Sequence, residues 1–328
     1  MIAVQKQFPD ERSCHEYLEA SRWPDGVRCL KCDHDRVSKF TVAGKRRVDK
    51  KTAEQKQGPD RFMYQCLKCK YQFQATTGTI FTDTHLPLRL WFMATALICN
   101  AKKGLSAKQV ERDLDVSYKT AWYLCHRLRE AMRSEQSLFD GHVEMDETFI
   151  GGKYNPRSRR AKYDKQAVMG VVQRGTEDLP SQVQAFPVPN RSREVIAEVI
   201  KERVAPSAMI YTDEYAGYRH LDNVRGNHAI VIHSRGQYAR KENGLNIHTN
   251  NAELFWGLFK RQLIGQHHWV SVKHLHRYLD ERTYGFNNRA VDRFGMVIAG
   301  LLIGSALRYA ALTAPETSAD SAAEDGEN

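Results

Sequence analysis

The sequence predicts an α/β protein: a mixed-sheet domain in the C-terminal half, preceded by a metal-bound module and a helix-turn-helix. Three observations carry that prediction. The strand-like runs "HVEMDETFIGG", "QAVMGVVQR", "SQVQAFPV", "AMIYTDE" and "HAIVIH" follow Gly141, the first three in succession and the rest alternating with helical patterns. Two C-x-x-C pairs lie near the N-terminus. Two helical patterns with a very short joint fall between these regions.

The elements follow in order. Asp10 to Ser21 has Cys14, Tyr17 and Leu18 on one helical face. Lys39 to Arg61, including "GKRRVDKK", is polar and basic and looks like a mobile loop. "FMYQCLKCKYQFQATTGTIF" gives short strands around the second cysteine pair, and Leu86 to Asn100 is an apolar helix. Ser106 can cap a helix over Ala107 to Leu114, and Ser117 a second from Tyr118 to about Met132. Further helical patterns fill Arg191 to Arg203, Asn251 to Leu263 and Val270 to Phe286. The domains expected are a helix plus metal-bound module at 1–82, a helix-turn-helix region at 83–135, a mixed-sheet domain at 139–300, and a disordered acidic tail at 314–328.

Composition narrows the partners. Hydrophobic content of 41% and charged content of 27% fit a soluble globular chain. The tail holds five acids and no base, so removing it raises the net charge from +10 to +15. That excess favours nucleic acid over membrane. The opening residues show no secretory pattern, and the apolar run Phe294 to Leu307 is short for a membrane span and reads as a buried helix. A cytoplasmic protein is expected.

Cys29 and Cys32 form one pair, Cys66 and Cys69 the other. Each can wrap a knuckle that presents two thiolates, and together they complete a tetrahedral sulfur site suited to structural zinc. The long loop between them is no obstacle, because closure entropy grows only logarithmically with length. Cys14, Cys99 and Cys125 lie on helical faces and are expected to be buried. Lys45, Arg46 and Arg47 in the loop can lie along phosphates. In the second of the paired helices, Ser117, Tyr118, Lys119 and Thr120 sit at the N-terminal end, where a recognition helix meets base edges. Arg127 lies farther along, placed for the DNA backbone.

Two strand-like runs end in acids. "HVEM" delivers Asp146, and "MIYT" delivers Asp213, 67 residues later. A third carboxylate, Glu253, falls on a helical pattern 40 residues after Asp213, with Gly257 and Lys260 on its face and Leu254, Leu258 and Phe259 toward the core. Such a trio can hold two divalent cations that activate a nucleophile and stabilise a leaving oxygen. Magnesium suits oxygen ligands of this kind, with manganese as a substitute. Separate caps and surface acids remain the alternative on spacing alone.

"HVEMDETFIGG", "IYTDEYAGY", "HTNNAELFWGLFKR" and "HLHRYLDERTYGFNNR", together with "RWPDGVRCLKC" and "ATTGTIFTDTHLPLRLWF", resemble the DDE-type transposases of bacterial insertion sequences. The nearest likeness is to the subfamily with an N-terminal zinc ribbon ahead of an RNase H-like core, over about Phe8 to Arg289. The resemblance implies Asp146 on the first strand and Asp213 on the fourth. Some members use glutamate as the third residue and others asparagine, and this chain has both Asn250 and Glu253. Glu253 is favoured, because a carboxylate binds a hard cation more strongly and Lys260 follows it by seven positions as in the family pattern. Lys260 and Arg261 would steady the DNA backbone. The resemblance further implies double-stranded DNA with terminal inverted repeats, a target DNA, and a homo-oligomer in the DNA complex. Two alternatives stay open: a DNA-binding regulator with an inactive core, and a metal-dependent nuclease without strand transfer.

Overall fold

The computed structural model describes residues 2–44, 46–48, 55–57, 60–133, 137–151, 165–221 and 226–314, with the backbone alone at 2, 46–48 and 55–57. Two units are distinguished: the described parts of Met1–Ala101, Ala107–Ala131 and Asp292–Asn328, and those of Lys102–Ser106 and Met132–Val291.

The first unit opens with helices α1 (Ile2–Gln7) and α2 (Glu11–Arg22). Asp10 caps α2: its carboxylate accepts from the Ser13 N–H at 2.8 Å, and the Ser13 hydroxyl accepts from the Asp10 N–H at 3.4 Å. Cys14 and Leu18 are buried, as their spacing predicted, and burial pushes the Cys14 thiol up to about 12. Strands β1 (Val37–Val42), β2 (Arg46–Val48), β3 (Gln55–Gln57), β4 (Arg61–Cys66) and β5 (Gln72–Phe73) follow. β1, β4 and β5 make an antiparallel sheet, and β2 pairs with β3. This corrects the loop expected from Lys39 onward. Phe40 and Val42 alternate with exposed Lys39 and Thr41, and six residues of pairing with β4 outweigh the polar composition.

Helix α3 (Leu88–Asn100) is buried along most of its length, including Trp91, Phe92 and Ile98. Helices α4 (Ala107–Leu114) and α5 (Tyr118–Ala131) fall where the pattern placed them. Asp115, at φ 50°, lets the Val116 N–H return to the Glu111 carbonyl at 3.2 Å and stop α4. The Ser117 hydroxyl then accepts from the Thr120 N–H at 3.2 Å and starts α5.

The second unit is built on a five-stranded sheet. Its strands are β6 (His142–Gly151), β7 (Lys165–Gln173), β8 (Gln182–Val188), β9 (Met209–Thr212) and β10 (His228–Ile230), in spatial order β10-β9-β6-β7-β8. β7 is antiparallel to both of its neighbours, β6 and β8, while β9 and β10 run parallel to β6. Each face has its own apolar cover. On one side Met145, Met169 and Ile210 pack with Ile196 and Ile200 of α6 (Arg193–Arg203). On the other, Val168, Val172 and Val183 meet Ala252, Phe255, Trp256 and Phe259 of α7 (Asn250–Gln262) and Leu275 and Leu279 of α8 (Val272–Asn287). Leu254, expected in this core, is 51% exposed instead; the run "LFWGLF" is too uniformly apolar to fix the helix phase.

A hairpin of β11 (Ala239–Glu242) and β12 (Leu245–His248) leads into α7. Its turn residues Asn243 and Gly244 both have positive φ, 51° and 79°. Gly170 on β7 lies opposite Asp146, and a Cβ there would meet the Trp256 ring at 2.8 Å. The missing side chain lets α7 press onto the sheet beside Asp146.

The chain finishes in the first unit with α9 (Arg293–Ile303) and α10 (Tyr309–Thr313). The mixed-sheet unit therefore ends at Val291 rather than at residue 300. Val297, Ile298, Leu301 and Leu302 give α9 a buried face that belongs with α2, α3 and α5. Among the described residues, no helix is long and apolar enough to cross a membrane. The expected tail, beyond Ala314, lies outside the described residues.

Candidate metal and carboxylate sites

The two cysteine pairs fold into matching knuckles. Asp33 (φ 55°) donates its N–H back to the Cys29 carbonyl at 2.9 Å, and Lys70 (φ 60°) donates to the Cys66 carbonyl at 3.0 Å. N–H groups also point at sulfur, Lys31 to Cys29 and Cys69 to Cys66, both at 3.4 Å. Cys29–Cys69, Cys32–Cys66 and Cys32–Cys69 Sγ separations are 3.6, 3.7 and 3.5 Å, and all four sulfurs lie within 4.8 Å of one another. A disulfide needs about 2.05 Å. A tetrahedral zinc with bonds of about 2.3 Å spaces its sulfurs by about 3.8 Å. The donor set and spacing fit a structural zinc ion.

In the second unit, the acids singled out from sequence come from three separate segments. Asp146 is on β6, Asp213 directly follows β9, and Glu253 is in the first turn of α7. Asp146 is pushed up to about 7, first by burial and then by the negative charges of Glu147, Asp213 and Glu253. The fold thus brings Asp213 and Glu253 close enough for their charges to act on Asp146. Asp213 is held by the Tyr215 N–H, which donates to Oδ1 at 2.9 Å. Glu253 Oε1 accepts from the Thr249 hydroxyl at 3.2 Å and lies 3.2 Å from His233 Nε2. Asn250 is exposed, its N–H directed at His248 Nδ1 at 3.4 Å. Among the described residues, the four cysteines form the group of three or more metal-type ligands that closes to within 4.8 Å; the acids stand farther apart.

Two further acids of β6 went unnoticed in the sequence. Glu147 has a side chain 4% exposed, accepts from the Tyr218 hydroxyl at 2.6 Å, and lies 3.4 Å from Arg191 Nη1. Burial raises its pKa, and raises that of Tyr218 far above the ordinary phenol value. Glu144 is wholly buried and ion-paired to Arg174 at 2.7 Å. "EMDE" was the visible signal: three acids in four residues of a strand otherwise facing the core. His233, beside Glu253, and His248, beside Glu144, were likewise not assigned to the site.

The expected DNA contacts fare unevenly. Ser117, Tyr118 and Lys119 are exposed at the start of α5, with Thr120 half-buried behind them. Lys119 Nζ lies 4.3 Å from the centre of the Tyr309 ring. Arg127 is a correction. It is 3% exposed, packs its guanidinium over Trp91 and Tyr123, and donates to the Thr82 carbonyl at 3.1 Å, so it serves the core instead of the DNA backbone. Lys260 and Arg261 are exposed near the end of α7, where Arg261 donates to the Gly257 carbonyl at 3.0 Å. Lys45 and the side chains of Arg46 and Arg47 lie outside the described residues.

Zinc analysis of the purified protein should give about one ion per chain, and Cys66→Ser should lose it and lower the melting temperature, because structural zinc binding is folding free energy. Unchanged zinc content in that variant would sink the assignment. A second expectation concerns pH. The Asp146 pKa near 7 exceeds the ordinary 3.8, so its neutral form favours the folded state. Its contribution is complete below about pH 4 and is lost as pH rises through 7. In buffer without divalent cations, the stability of Asp146→Asn relative to the parent protein should therefore climb between pH 4 and 8. A constant difference across that range would show that Asp146 titrates normally.

Residues 139–287 match the ISXO2-like transposase domain, and residues 9–72 match the transposase zinc-ribbon domain. An uncharacterized protein in transposable element ISH50 of Halobacterium salinarum is 28% identical over 290 residues, which cover 84% of this chain and 90% of that protein. An uncharacterized transposase-like protein of Haemophilus influenzae is 30% identical over 118 residues, 36% of this chain and 91% of its own length. Through its metal-fitting cysteine module, its mixed α/β unit and these relatives, the chain belongs to the transposase superfamily of insertion sequences.

Proposed function

We propose that the protein is a DNA transposase that cleaves element ends and joins the freed 3′-hydroxyl to target DNA. The observation that supports this reading is that Asp146, Asp213 and Glu253 come from three distant segments, with Asp146 pushed up to about 7 first by burial and then by the negative charges of Glu147, Asp213 and Glu253. Mutual repulsion of that kind favours a divalent cation, magnesium or manganese, as counter-charge. Bound there, a cation pair supplies Lewis-acid activation and leaving-group stabilisation.

The chain's own residues hold and orient. Asp146 and Asp213 come from neighbouring parallel strands of an RNase H-like sheet, and Glu253 faces them from α7 as the third acid. Asn250, one turn earlier and exposed, is suited to contact DNA or water. Lys260 and Arg261 lie along the backbone of the bound end. In the first step water attacks the end phosphate and the bond to the 3′-oxygen breaks, leaving a 3′-hydroxyl. That hydroxyl then attacks a target phosphodiester and displaces its 3′-oxygen, with no covalent protein intermediate. The start of α5, in a helix-turn-helix, reads the terminal inverted repeats. The zinc ribbon adds phosphate contacts through Lys45, Arg46 and Arg47. A homo-oligomer would bring two ends together in the bacterial cytoplasm.

Labelled ends and target plasmid, incubated with magnesium, test the chemistry. Asp146→Asn, Asp213→Asn and Glu253→Gln should each abolish cleavage while end binding persists, and Asn250→Ala should keep measurable activity. Normal turnover by Glu253→Gln with complete loss in Asn250→Ala would reverse the third assignment. Cleavage without any joined product would leave a nuclease, and neither product would leave a regulator. Recognition is tested separately: Lys119→Ala should weaken end binding more than binding to unrelated duplex. Equal weakening on both duplexes would demote Lys119 to a phosphate contact.

A further inference from the structure

We propose that Glu144 is a positioning residue: by capping α7 from β6, it fixes Glu253 against Asp146 and so sets the cation affinity of the carboxylate site. The proposal rests on the reading of that site given above.

Glu144 is 0% exposed. A carboxylate so placed is tolerable only when its charge is paired and its lone pairs are filled. Both conditions hold. Oε1 accepts from Arg174 Nε at 2.7 Å and Asn251 Nδ2 at 2.8 Å, with His248 Nδ1 at 3.1 Å. Oε2 accepts from the N–H groups of Asn251 at 2.8 Å and Ala252 at 3.1 Å. Those two N–H groups belong to the first turn of α7, where helix donors lack internal partners. A cap normally comes from the residue just before the helix. Thr249 occupies that place and makes no side-chain cap bond; its hydroxyl donates to Glu253 instead. The cap comes from 107 and 108 residues away in sequence.

The location of this cap gives it a role beyond stability. Glu144 and Asp146 are two residues apart on a strand, so they share a face. Glu253 immediately follows Ala252, whose N–H Glu144 holds. The separation of Asp146 and Glu253 is therefore spanned by two short covalent links joined at one hydrogen-bonded carboxylate. Arg174 locks the approach as well, donating to the Asn246 and His248 carbonyls, both at 2.6 Å, while stacking over Tyr211 at 4.0 Å. Strand β12, which feeds α7, is fixed to the same guanidinium.

Manganese binding to the zinc-loaded, DNA-free full-length protein, followed by the EPR signal of free Mn2+, tests the proposal. Glu144→Gln sets an NH2 group against Arg174 or the helix N–H groups while nearly preserving volume. Its manganese affinity should fall about 10–100-fold, the usual cost of losing an outer-shell partner of a metal site. Cleavage should need correspondingly more manganese and recover in part at saturation, with end binding unchanged; general destabilisation would not produce that recovery. A folded Glu144→Gln protein with affinity within about twofold of the parent overturns the proposal. Should it fail to fold, Arg174→Lys and Asn251→Ala loosen the same network more gently, and unchanged manganese affinity in both overturns it equally. Asp146→Asn separates the two levels of inference. If the parent has no manganese site that this variant removes, the reading of the carboxylate site falls and the positioning role with it.

Discussion

Strand β6 runs through the middle of the sheet, paired on both edges, and takes three carboxylates to positions where water cannot hydrate them freely. Each must be compensated, and most of the polar architecture of the second unit follows from that constraint. Glu144 is met by Arg174 and by the start of α7. Glu147, on the opposite face, is met by Tyr218 and Arg191. Burial first, and then charges that are all negative, weaken the acidity of Asp146. Two of the acids are thus settled by the fold. The third, Asp146, instead keeps a raised pKa.

The same division orders the helices. α6 belongs to the face on which Glu147 is neutralised, and α7 to the face of Glu144 and Asp146. Gly170, beside Asp146, has no side chain to hold Trp256 away, so α7 approaches the sheet at its acid-bearing centre. A hydrophobic contact and a charge-assisted cap act on one helix end and one helix middle. Their combination restricts sliding and rotation of α7, which an apolar contact alone would leave loosely specified.

Much of this could be read from the chain. All five strands of the main sheet appeared as β-branched or alternating runs, and the helices had recognisable caps at Ser117 and apolar periods elsewhere. The cysteine pairs declared their geometry by spacing alone, since a knuckle is a local structure. What escaped was decided by distant partners. Val37–Val42 looks polar until β4 pairs with it. Arg127 looks like a solvent-facing base until Trp91 and Tyr123 enclose it. Asn243–Gly244 is a local hairpin signal and could have been found; it was masked by the basic residues around it.

The site shows the same limit more sharply. Asp213 follows the end of β9, a position that local sequence can suggest, whereas Asp146, expected at a strand end, lies in the middle of β6 because pairing with β7 carries that strand on to Gly151. Glu144 sits two residues before Asp146 in a strand that otherwise faces the core, and its partners are 30 to 108 residues away. Nothing within its neighbourhood reveals an arginine just past the end of β7 or the open end of a helix. The inference that does work from sequence is one of cost: an acid in a buried strand needs a strong reason to stay charged. Three such acids in four residues mean that the fold must supply cations, hydrogen-bond donors or a metal close by. The structure answers with two of these for Glu144 and Glu147, while Asp146 is pushed up to about 7, first by burial and then by the negative charges around it, and so is held toward its neutral form.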